Sequence, residues 1–317
     1  MNMQSTRVIY ISGAGRSGTT VLNDILDTVE GVAAFGEIWN TWTVAQDPAH
    51  LCGCGRLLAE CETWFGVVGP NPVQDEIRTI NEQRMAVARI RQGWRWRRLR
   101  DDDAFNAFAE TVAGVYRSLA SASGVDTVVD SSKTPAFALV AGSADSVDMR
   151  VVHLVRDPRA VIASWSRQKS VTFGTTVERL ETRRFIRIVR QWIFFNTVGL
   201  SLLKRRFPTL VVRMEDLVAN PATVVDAIRR FAEIDRSSPL VNQDGTITIG
   251  GAHTVAGNPD RFTIGPTLLR APETWRTSLP LWKRVFVTVV TFPVMLRFGY
   301  YTWRGRARSD AIKQSPT

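Results

Sequence analysis

The sequence predicts an α/β fold in which a central, mainly parallel β-sheet lies between two layers of helices. Short apolar runs rich in β-branched residues alternate with longer helical patterns along most of the chain. The first apolar run is followed by a glycine-rich turn and then by a helical pattern, in the stretch "ISGAGRSGTT". Alternating strands and helices require crossover connections, which make neighbouring strands parallel and cover both faces of the sheet.

The apolar runs predict four buried strands and the periodic stretches predict six helices. The strands are expected at residues 8–11, 127–129, 151–155 and 210–212. The helices are expected at residues 20–29, 103–121, 135–141, 158–167, 177–206 and 221–232. Residues from about 38 to 102 break the alternation, so we expect an insertion on a single domain of residues 1–317, with a C-terminal helical segment at about 272–306.

The composition is that of an ordinary soluble protein, and its charge favours anionic partners. The chain has 317 residues, of which 44% are hydrophobic and 22% charged, and its net charge is +10. Such a charge favours nucleotides, nucleic acids, sulfated or phosphorylated molecules, or an acidic membrane surface. No charged and apolar leader precedes the first strand, so no signal peptide is expected and a cytoplasmic location is predicted.

The glycine-rich turn predicts an anion site of the P-loop NTPase-like type within a three-layer α/β/α fold. A Walker A loop carries a lysine after its last glycine, which reaches the outer phosphates of a triphosphate. Here Gly18 is followed by Thr19 instead. Backbone N–H groups at the start of the next helix attract an oxyanion. With Arg16 inside the loop and no lysine after Gly18, a short anion fits better than a triphosphate, and the alternative is a purely structural glycine turn. The candidate binding residues are Gly15, Arg16, Ser17, Gly18, Thr19 and Thr20.

A second strand-to-helix junction, in "VVHLVRDPRAVIASW", predicts a second anion site. Arg156 ends the strand, Asp157 is a suitable N-cap, and Pro158 suits the first helical position. Ser164 lies two helical turns beyond Asp157 on the same face. The alternatives are a local ion pair between Arg156 and Asp157, and a hydroxyl at Ser164 that is satisfied within its helix.

The pairing of "GAGRSGTTVL" with "VRDPRAVIASW" resembles the two nucleotide-binding motifs of sulfotransferases that use 3′-phosphoadenosine 5′-phosphosulfate (PAPS). The stretches "FGEIWN", "DSSKTP" and "HTVAGNPDRF" are similar to bacterial carbohydrate-type and Golgi-type members, so the resemblance covers about residues 8–262. It implies that the first loop holds the 5′-phosphosulfate and that Arg156 and Ser164 hold the 3′-phosphate. It also implies that no metal takes part.

Sulfuryl transfer to a hydroxyl requires a base for the hydroxyl proton and cations for the charge on the leaving phosphate. Glu37 is the candidate base, since the family often places a carboxylate here, and Trp39 and Trp42 follow it as walls for an acceptor. Lys133 is expected beside Arg16 at the leaving oxygen. The alternatives are a solvated glutamate and a plain turn lysine.

Two of the histidines have different expected roles. His153 lies in the middle of an apolar strand, so we expect a core residue with a local hydrogen-bond partner. His253 precedes "GNPDRF", expected to be a mobile segment that closes over the nucleotide. By resemblance, Asn258 and Arg261 in this segment offer an amide and a cation to the 3′-phosphate or the adenine.

The three cysteines cluster in "HLCGCGRLLAEC", where Cys52, Cys54 and Cys61 could join His50 in a metal set. Structural zinc sites usually pair their ligands as C-x₂₋₄-C at two separate turns, and a C-x-C with one distant cysteine does not match this spacing. Reduced cysteines or one local disulfide are therefore preferred, and no metal is predicted.

Two rival functions come from other classes of protein. Asp130 suits the magnesium-binding carboxylate of a P-loop kinase or NTPase, although the missing lysine weighs against it. Seven arginines and two tryptophans between residues 84 and 100 suit single-stranded nucleic acid. Three aspartates follow directly and reduce this charge, so we prefer a solvated or membrane-facing helix and expect no nucleic-acid partner.

The C-terminal stretch "LWKRVFVTVVTFPVMLRFGYYTW" is too short in its apolar part to span a bilayer, which takes about 20 residues. It is expected to be a packed helix, and its terminal aromatic and basic residues leave open a peripheral membrane contact. The expected acceptor is a hydroxyl-bearing small molecule, sugar or lipid. The sequence does not determine which one, nor the oligomeric state.

Overall fold

A computed structural model describes residues 5–69, 80, 103–166, 170–173, 176–179, 185–236, 246–262, 264–269, 273–301 and 313–314. The arginine-rich stretch at 84–100 and most of the expected insertion beyond residue 69 lie outside the described residues. The strands in the described part are β1 Thr6–Ser12, β2 Val32–Ala34, β3 Thr127–Lys133, β4 Val147–Val155, β5 Ser170–Phe173, β6 Thr176–Arg179, β7 Thr209–Arg213, β8 Ile247–Ile249, β9 Gly265–Thr267 and β10 Lys313–Gln314.

The helices of the same residues cover both sides of the sheet. In chain order they are α1 Thr19–Leu26, α2 Thr41–Val44, α3 Glu62–Val68, α4 Asp103–Ser123, α5 Pro135–Ala141, α6 Pro158–Ser166, α7 Phe185–Phe194, α8 Leu200–Lys204, α9 Met214–Ala219, α10 Pro221–Phe231, α11 Trp275–Ser278 and α12 Leu281–Arg297. Short 3₁₀ turns occur at Ile38–Asn40, Leu58–Glu60 and Pro259–Phe262, and a π-helical turn at Phe195–Gly199 joins α7 to α8.

The central sheet has the order β10-β7-β4-β1-β3-β2. Its five strands from β7 to β2 are parallel, and β10 pairs antiparallel with β7 at the edge. The predicted α/β class with a mainly parallel sheet is therefore confirmed. All four predicted strands are present, each within a longer strand, whereas the three-residue β2 is too short to give a sequence pattern.

One predicted helix is wrong at its start. The expected helix at 177–206 begins instead at Phe185, because Thr176–Arg179 pairs with Ser170–Phe173 as an antiparallel hairpin. The sequence TVER contains two β-branched residues, which suit a strand. In so short a run, pairing with a neighbouring strand decides between strand and helix. The predicted C-terminal segment contains α12, with Pro293 inside the helix. Within the described residues, no helix has the length and apolar character needed to cross a membrane.

The alternating side chains of β1 divide the core into two layers. Val8 and Tyr10 pack with residues of α3, α4 and α5 on one face of the sheet. Ile9 and Ile11 pack on the other face with residues of α1 and α10. Because successive strand side chains point to opposite faces, an unbroken apolar strand must be covered on both sides. A third cluster joins α6, α7 and α12 beside the carboxyl end of β4.

The strand order creates a crevice at the carboxyl end of β1. From β1 the chain runs to the edge strand β2 and back to β3 on one side of it, and then crosses to β4 on the other side. Open α/β sheets bind ligands at such a switch point. Arg16 follows β1, Lys133 ends β3 and Arg156 follows β4, so three cations stand at the same edge of the sheet.

Candidate active site

The loop between β1 and α1, residues 13–18, which we call the phosphate loop, lies tightly against neighbouring residues. A Cβ atom on Gly13 would lie 2.4 Å from the carbonyl oxygen of Leu154, and one on Gly18 would lie 2.4 Å from Met214 Sδ. Gly18 also has a φ of 96° and is the N-cap residue of α1. Gly13 is required because a side chain would meet backbone there, and Gly18 is required because residues with a side chain rarely adopt its positive φ.

The phosphate loop contains a buried donor that the protein does not use. Ser17 is fully buried, and its hydroxyl has no hydrogen-bond partner among the described residues. Thr19 beside it is also buried, while Thr20 is half-buried. Buried polar groups are normally paired, and a helix N-terminus attracts oxyanions. The loop therefore fits the phosphate or sulfate oxygens of a ligand.

Arg16 is held over the phosphate loop by an aromatic ring and an amide. Its guanidinium lies 5.0 Å from the centroid of the Trp165 ring, and its Nη1 donates to Asn258 Oδ1 at 3.3 Å. Trp165 Nε1 in turn donates to the carbonyl oxygen of Gly15 at 3.3 Å. Trp165 thus supports both the backbone and the cation of this loop.

Arg156 is brought to the same loop from β4. It is buried, and its Nη1 donates to the carbonyl oxygen of Arg16 at 3.0 Å. Its own carbonyl oxygen accepts a 3.0 Å hydrogen bond from Trp192 Nε1. The two candidate anion sites are therefore in direct contact, and Ser164 lies half-buried on α6 beyond them.

Asp157 caps α6, as the sequence indicates, and it forms an ion pair with Arg159. Its Oδ1 accepts the backbone N–H of Arg159 at 2.8 Å, and its Oδ2 lies 2.6 Å from Arg159 Nη2.

Glu37 and Lys133 form an ion pair at the carboxyl edge of β3. Lys133 Nζ donates to Glu37 Oε1, and Asn40 Nδ2 donates to Glu37 Oε2 at 3.0 Å. The two side chains are 22% and 16% exposed, so neither is a freely solvated surface group. Lys133 has a φ of 70°, and its carbonyl oxygen accepts a hydrogen bond from Ser12 Oγ at 3.1 Å.

Residues 250–258, which we call the covering segment, lie beside this ion pair. The backbone N–H of Glu37 donates to the carbonyl oxygen of Ala256 at 3.1 Å. A Cβ on Gly257 would lie 3.8 Å from Thr20 Oγ1 and 3.9 Å from Glu37 Oε1. Together with the Asn258 contact to Arg16, these distances place the covering segment against both the candidate base and the phosphate loop.

Arg261 lies just beyond the covering segment and contacts a different loop. It is buried, its Nη2 donates to the carbonyl oxygen of Leu51 at 3.5 Å, and its guanidinium stacks 4.4 Å from the Phe262 ring centroid. A contact between Arg261 and a nucleotide stays an expectation from resemblance.

Three residues that the sequence offers for functional roles, His153, Trp42 and Asp130, lie in the protein core. His153 is buried, its Nε2 is 3.0 Å from Asn196 Oδ1, and burial lowers its pKa to about 4, as expected for a core histidine. Trp42 is buried, and its ring centroid lies 5.6 Å from that of Phe108. It therefore belongs to the core and does not wall an acceptor pocket, which corrects the expectation.

Asp130, the carboxylate on which the rival NTPase function depends, is also buried in the core. Tyr116 OH donates to its Oδ2 at 2.7 Å and the backbone N–H of Ser132 to its Oδ1 at 2.8 Å, while burial raises its pKa to about 6. Both oxygens are thus engaged inside the protein, which argues against Asp130 as a magnesium ligand.

Comparison with known proteins identifies the family of the chain. A model of the sulfotransferase family matches residues 8–238. The chain belongs to the sulfotransferase family. Carbohydrate sulfotransferase 5 of Mus musculus is 27% identical over 151 residues, which are 44% of this sulfotransferase and 38% of the relative. Carbohydrate sulfotransferase 5 of Homo sapiens is 27% identical over 173 residues, 49% and 41% of the respective chains.

This sulfotransferase therefore matches about two fifths of the length of those curated relatives. Among solved structures, the sulfotransferase domain from the curacin biosynthetic pathway superposes with a TM-score of 0.51 at 15% identity. That comparison covers 91% of this sulfotransferase and 98% of the solved domain. It supports the fold assignment, and the family match supports sulfuryl transfer as the reaction class.

Sequence reasoning missed the residues that support the site. Trp165 stacks on Arg16, Asn40 binds Glu37, and Trp192 holds the Arg156 carbonyl. Trp165 and Asn40 both stand inside the quoted stretches "RAVIASW" and "FGEIWN". Their proximity to named site residues was an available signal, whereas Trp192 lies 36 residues after its partner.

Proposed function

We propose that this sulfotransferase transfers the sulfuryl group of PAPS to a hydroxyl group of a carbohydrate, glycolipid or other small molecule. The observation that carries the proposal is the Glu37–Lys133 ion pair beside the phosphate loop, with Arg16 and Arg156 at the same edge of the sheet. One carboxylate among three cations suits a reaction that removes one proton and builds negative charge on a leaving phosphate.

The residues of the phosphate loop are proposed to bind the 5′-phosphosulfate. Gly15, Ser17, Gly18, Thr19 and Thr20 offer backbone or hydroxyl donors there, and the Ser17 hydroxyl has no partner among the described residues that it would have to give up. Arg156 and Ser164 are proposed to bind the 3′-phosphate, with Asn258 and Arg261 supporting the nucleotide. The bound nucleotide supplies a sulfuryl group joined to a phosphate leaving group.

Glu37 and Lys133 are proposed to act together. Glu37 takes the proton of the acceptor hydroxyl, so that the acceptor oxygen can bond to sulfur while the bond from sulfur to the phosphate oxygen breaks. Once Glu37 is protonated, Lys133 has lost the charge of its partner, and its ammonium can stabilise the new charge on the phosphate. Arg16 stabilises the same charge from the phosphate loop. No metal is needed for these steps.

Nucleotide binding tests the donor assignment. Calorimetry with 3′-phosphoadenosine 5′-phosphate, the desulfated product, and with AMP measures what the 3′-phosphate adds. We expect much tighter binding of the 3′-phosphorylated nucleotide, because Arg156 has a phosphate to contact only in that ligand. Equal affinity for the two would remove the donor assignment.

A transfer assay tests the reaction and the acceptor class. Radiolabelled PAPS is incubated with sugar, glycolipid and phenol acceptors, with carbohydrates first because two relatives are carbohydrate sulfotransferases. We expect label to move to a hydroxyl-bearing acceptor and the rate to be unchanged by added Mg²⁺. Transfer of phosphate from ATP that depends on Mg²⁺ would favour a kinase instead.

A further inference from the structure

Three cysteines and a histidine come together on the far side of the covering segment. The ligand atoms of Cys52, Cys54, Cys61 and His253 all lie within 4.8 Å of one another. Cys54 Sγ is 3.9 Å from Cys61 Sγ. His253 Nδ1 is 3.2 Å from Cys61 Sγ and 3.9 Å from Cys52 Sγ.

The three individual distances, 3.9, 3.2 and 3.9 Å, are close to the edges of a zinc tetrahedron. With Zn–S bonds of about 2.3 Å and Zn–N bonds of about 2.0–2.1 Å, two sulfur ligands lie about 3.8 Å apart and a sulfur and a nitrogen about 3.5 Å apart. A disulfide needs two sulfurs about 2.05 Å apart, and three thiols cannot all pair within one chain. The cluster therefore has the donor set and the spacing of a Cys₃His zinc site rather than of a disulfide.

The two chain segments that meet at the cluster are built to hold it. Residues 51–57, which we call the cysteine loop, turn back on themselves through a β-bridge between Leu51 and Leu57 and a 2.9 Å hydrogen bond from Cys52 N to Arg56 O. Cys61 follows the next turn, directly before α3. A Cβ on Gly53 would lie 2.5 Å from the carbonyl oxygen of Ala252, so the cysteine loop packs against the backbone of the covering segment.

The spacing of the cysteines in the sequence does not predict this set of four ligands. The sequence offers His50 as the fourth candidate, but His50 Nε2 lies 2.7 Å from the carbonyl oxygen of Val255 instead. The fourth member is His253, which stands 192 residues after Cys61. A metal site whose fourth ligand comes from a distant part of the chain does not need a second C-x₂₋₄-C turn, because the fold brings that ligand to the other three.

We propose that Cys52, Cys54, Cys61 and His253 bind one Zn²⁺ as a structural site that fastens the covering segment to the cysteine loop. Four protein ligands leave no open position for water or substrate, which distinguishes a structural zinc from a catalytic one. On binding, the three thiols release their protons to solvent and coordinate as thiolates, while His253 coordinates through neutral Nδ1.

The zinc site connects to the proposed active site through the backbone of the covering segment. Val255 N donates to the carbonyl oxygen of Phe35 at 2.9 Å. The next residue of the covering segment, Ala256, accepts a hydrogen bond from Glu37 N through its carbonyl oxygen. Asn258 then reaches Arg16. A metal that fixes His253 therefore fixes the residues that contact Glu37 and Arg16, and this consequence, unlike the site itself, rests on the proposed function.

Metal analysis of the full chain tests the site directly. The protein is purified from zinc-supplied cultures in reducing buffer without chelator, and its zinc is measured by plasma mass spectrometry. We expect about one zinc per chain. After exchange into Co²⁺, we expect the intense visible bands of tetrahedral cobalt and a near-ultraviolet thiolate charge-transfer band. Zinc well below one per chain, or cobalt without the thiolate band, would overturn the proposal.

Variants separate the ligands from their neighbours. Cys54→Ser and His253→Ala are expected to lose most of the zinc, whereas His50→Ala, the matched control, retains it. Should His50→Ala lose zinc as fully as His253→Ala does, or both ligand variants keep it, the assignment of the four ligands is wrong. Because the wild-type measurements stand alone, a variant that fails to fold does not weaken the test.

Zinc removal tests the fastening role. Hydrogen exchange of residues 250–258 is measured in zinc-loaded protein, after a strong chelator, and after zinc is restored. We expect faster exchange without zinc and full recovery with it, and unchanged exchange would refute the fastening role. Affinity for 3′-phosphoadenosine 5′-phosphate is expected to fall and recover in parallel. If zinc binds and protects the segment but the nucleotide binds in neither state, the proposed function fails and the zinc site stands.

Discussion

Arg16 and Lys133 hold backbone conformations that side chains rarely adopt. Each has a φ of 70°, and within the described residues Glu233 is the other non-glycine residue with positive φ. Such a conformation costs on the order of 1–3 kcal/mol and persists where surrounding contacts enforce it. Here the enforcing contacts are the hydrogen bonds that the Arg16 and Lys133 carbonyl oxygens accept from Arg156 and Ser12. Both strained residues carry cationic side chains, and the strain supports the proposal that their backbone conformation directs these side chains toward the crevice.

Replacement of Glu37 by glutamine tests the proposed base. Glu37→Gln preserves the size of the side chain and can still contact Asn40, but it cannot accept a proton. We expect nucleotide affinity to stay near that of the wild type while turnover falls by about 10²- to 10⁴-fold. Calorimetry and the transfer assay measure the two quantities on the same preparation.

Asn40→Ala is the useful companion variant, since it removes the 3.0 Å contact to Glu37 but leaves the carboxylate. We expect it to reduce turnover far less than Glu37→Gln does. If Glu37→Gln turned over at the wild-type rate with its folding and nucleotide binding intact, Glu37 would not be the base.

Replacement of Arg156 tests the proposed 3′-phosphate site. A charge-assisted contact is worth about 1.5–3 kcal/mol, so Arg156→Ala should weaken binding of 3′-phosphoadenosine 5′-phosphate by roughly 10- to 100-fold. AMP binding should change much less. Arg236→Ala, an arginine paired with Glu30 at 3.1 Å, is the control and should leave both affinities unchanged. A wild-type affinity in Arg156→Ala would exclude this residue from the site.

Helix α12 exposes an unusual apolar face within the described chain. Its exposed large side chains are Leu281, Trp282, Val285, Phe286, Val289, Val290, Phe292 and Leu296. Lys283 and Arg284 stand at its start and Arg297 at its end. Apolar patches of this kind mark interaction surfaces, and apolar side chains flanked by cations suit an anionic lipid surface. The peripheral membrane contact expected from the sequence thus has a defined candidate surface.

Vesicle sedimentation tests this surface. The full chain is mixed with vesicles of neutral lipid alone or with added anionic lipid, and we expect binding that grows with anionic lipid and falls with salt. The double variant Trp282→Ser, Val289→Ser should bind markedly less, whereas Leu268→Ser, a control that removes a side chain 49% exposed outside α12, should bind as the wild type does. Equal sedimentation of all three proteins would rule out α12 as the contact.

The stability of the whole molecule is expected to depend on His153. Burial lowers its pKa from 6.5 to about 4, with Lys204 and Arg297 adding repulsion. The unfolded state therefore binds a proton that the folded state does not, and stability is lost as the pH falls from about 6.5 towards about 4. The shift corresponds to about 3 kcal/mol at its full extent.

His153→Gln removes this titration and can still donate a hydrogen bond to Asn196. Urea unfolding at about pH 7.5 and about pH 4.5 should show that the wild type loses roughly 2–3 kcal/mol more stability on acidification than the variant does. Groups that titrate identically in both proteins cancel in this difference. An equal loss in the two proteins would mean that folding does not lower the pKa of His153.

Local features of the site could be predicted from the sequence. A strand, its glycine turn and the next helix occupy consecutive residues, so their order alone places Arg16 and Ser17 at a helix N-terminus. The same holds for Arg156 at the end of β4 and for Asp157 as the cap of α6. The core position of His153 follows from its apolar neighbours. These features depend on interactions within a few residues, which periodicity and turn chemistry report directly.

Only the tertiary structure decided which of these features meet. Glu37 and Lys133 are 96 residues apart, and they pair because β3 lies between β1 and β2 in the sheet. His253 joins cysteines almost 200 residues earlier because the covering segment returns to the cysteine loop. The strand order of a parallel sheet is set by crossovers that leave no local pattern, so residues that are distant in sequence become neighbours without a sequence signal. The physical reason is that the chemistry of this site depends on long-range packing, whereas the sequence pattern records only short-range preference.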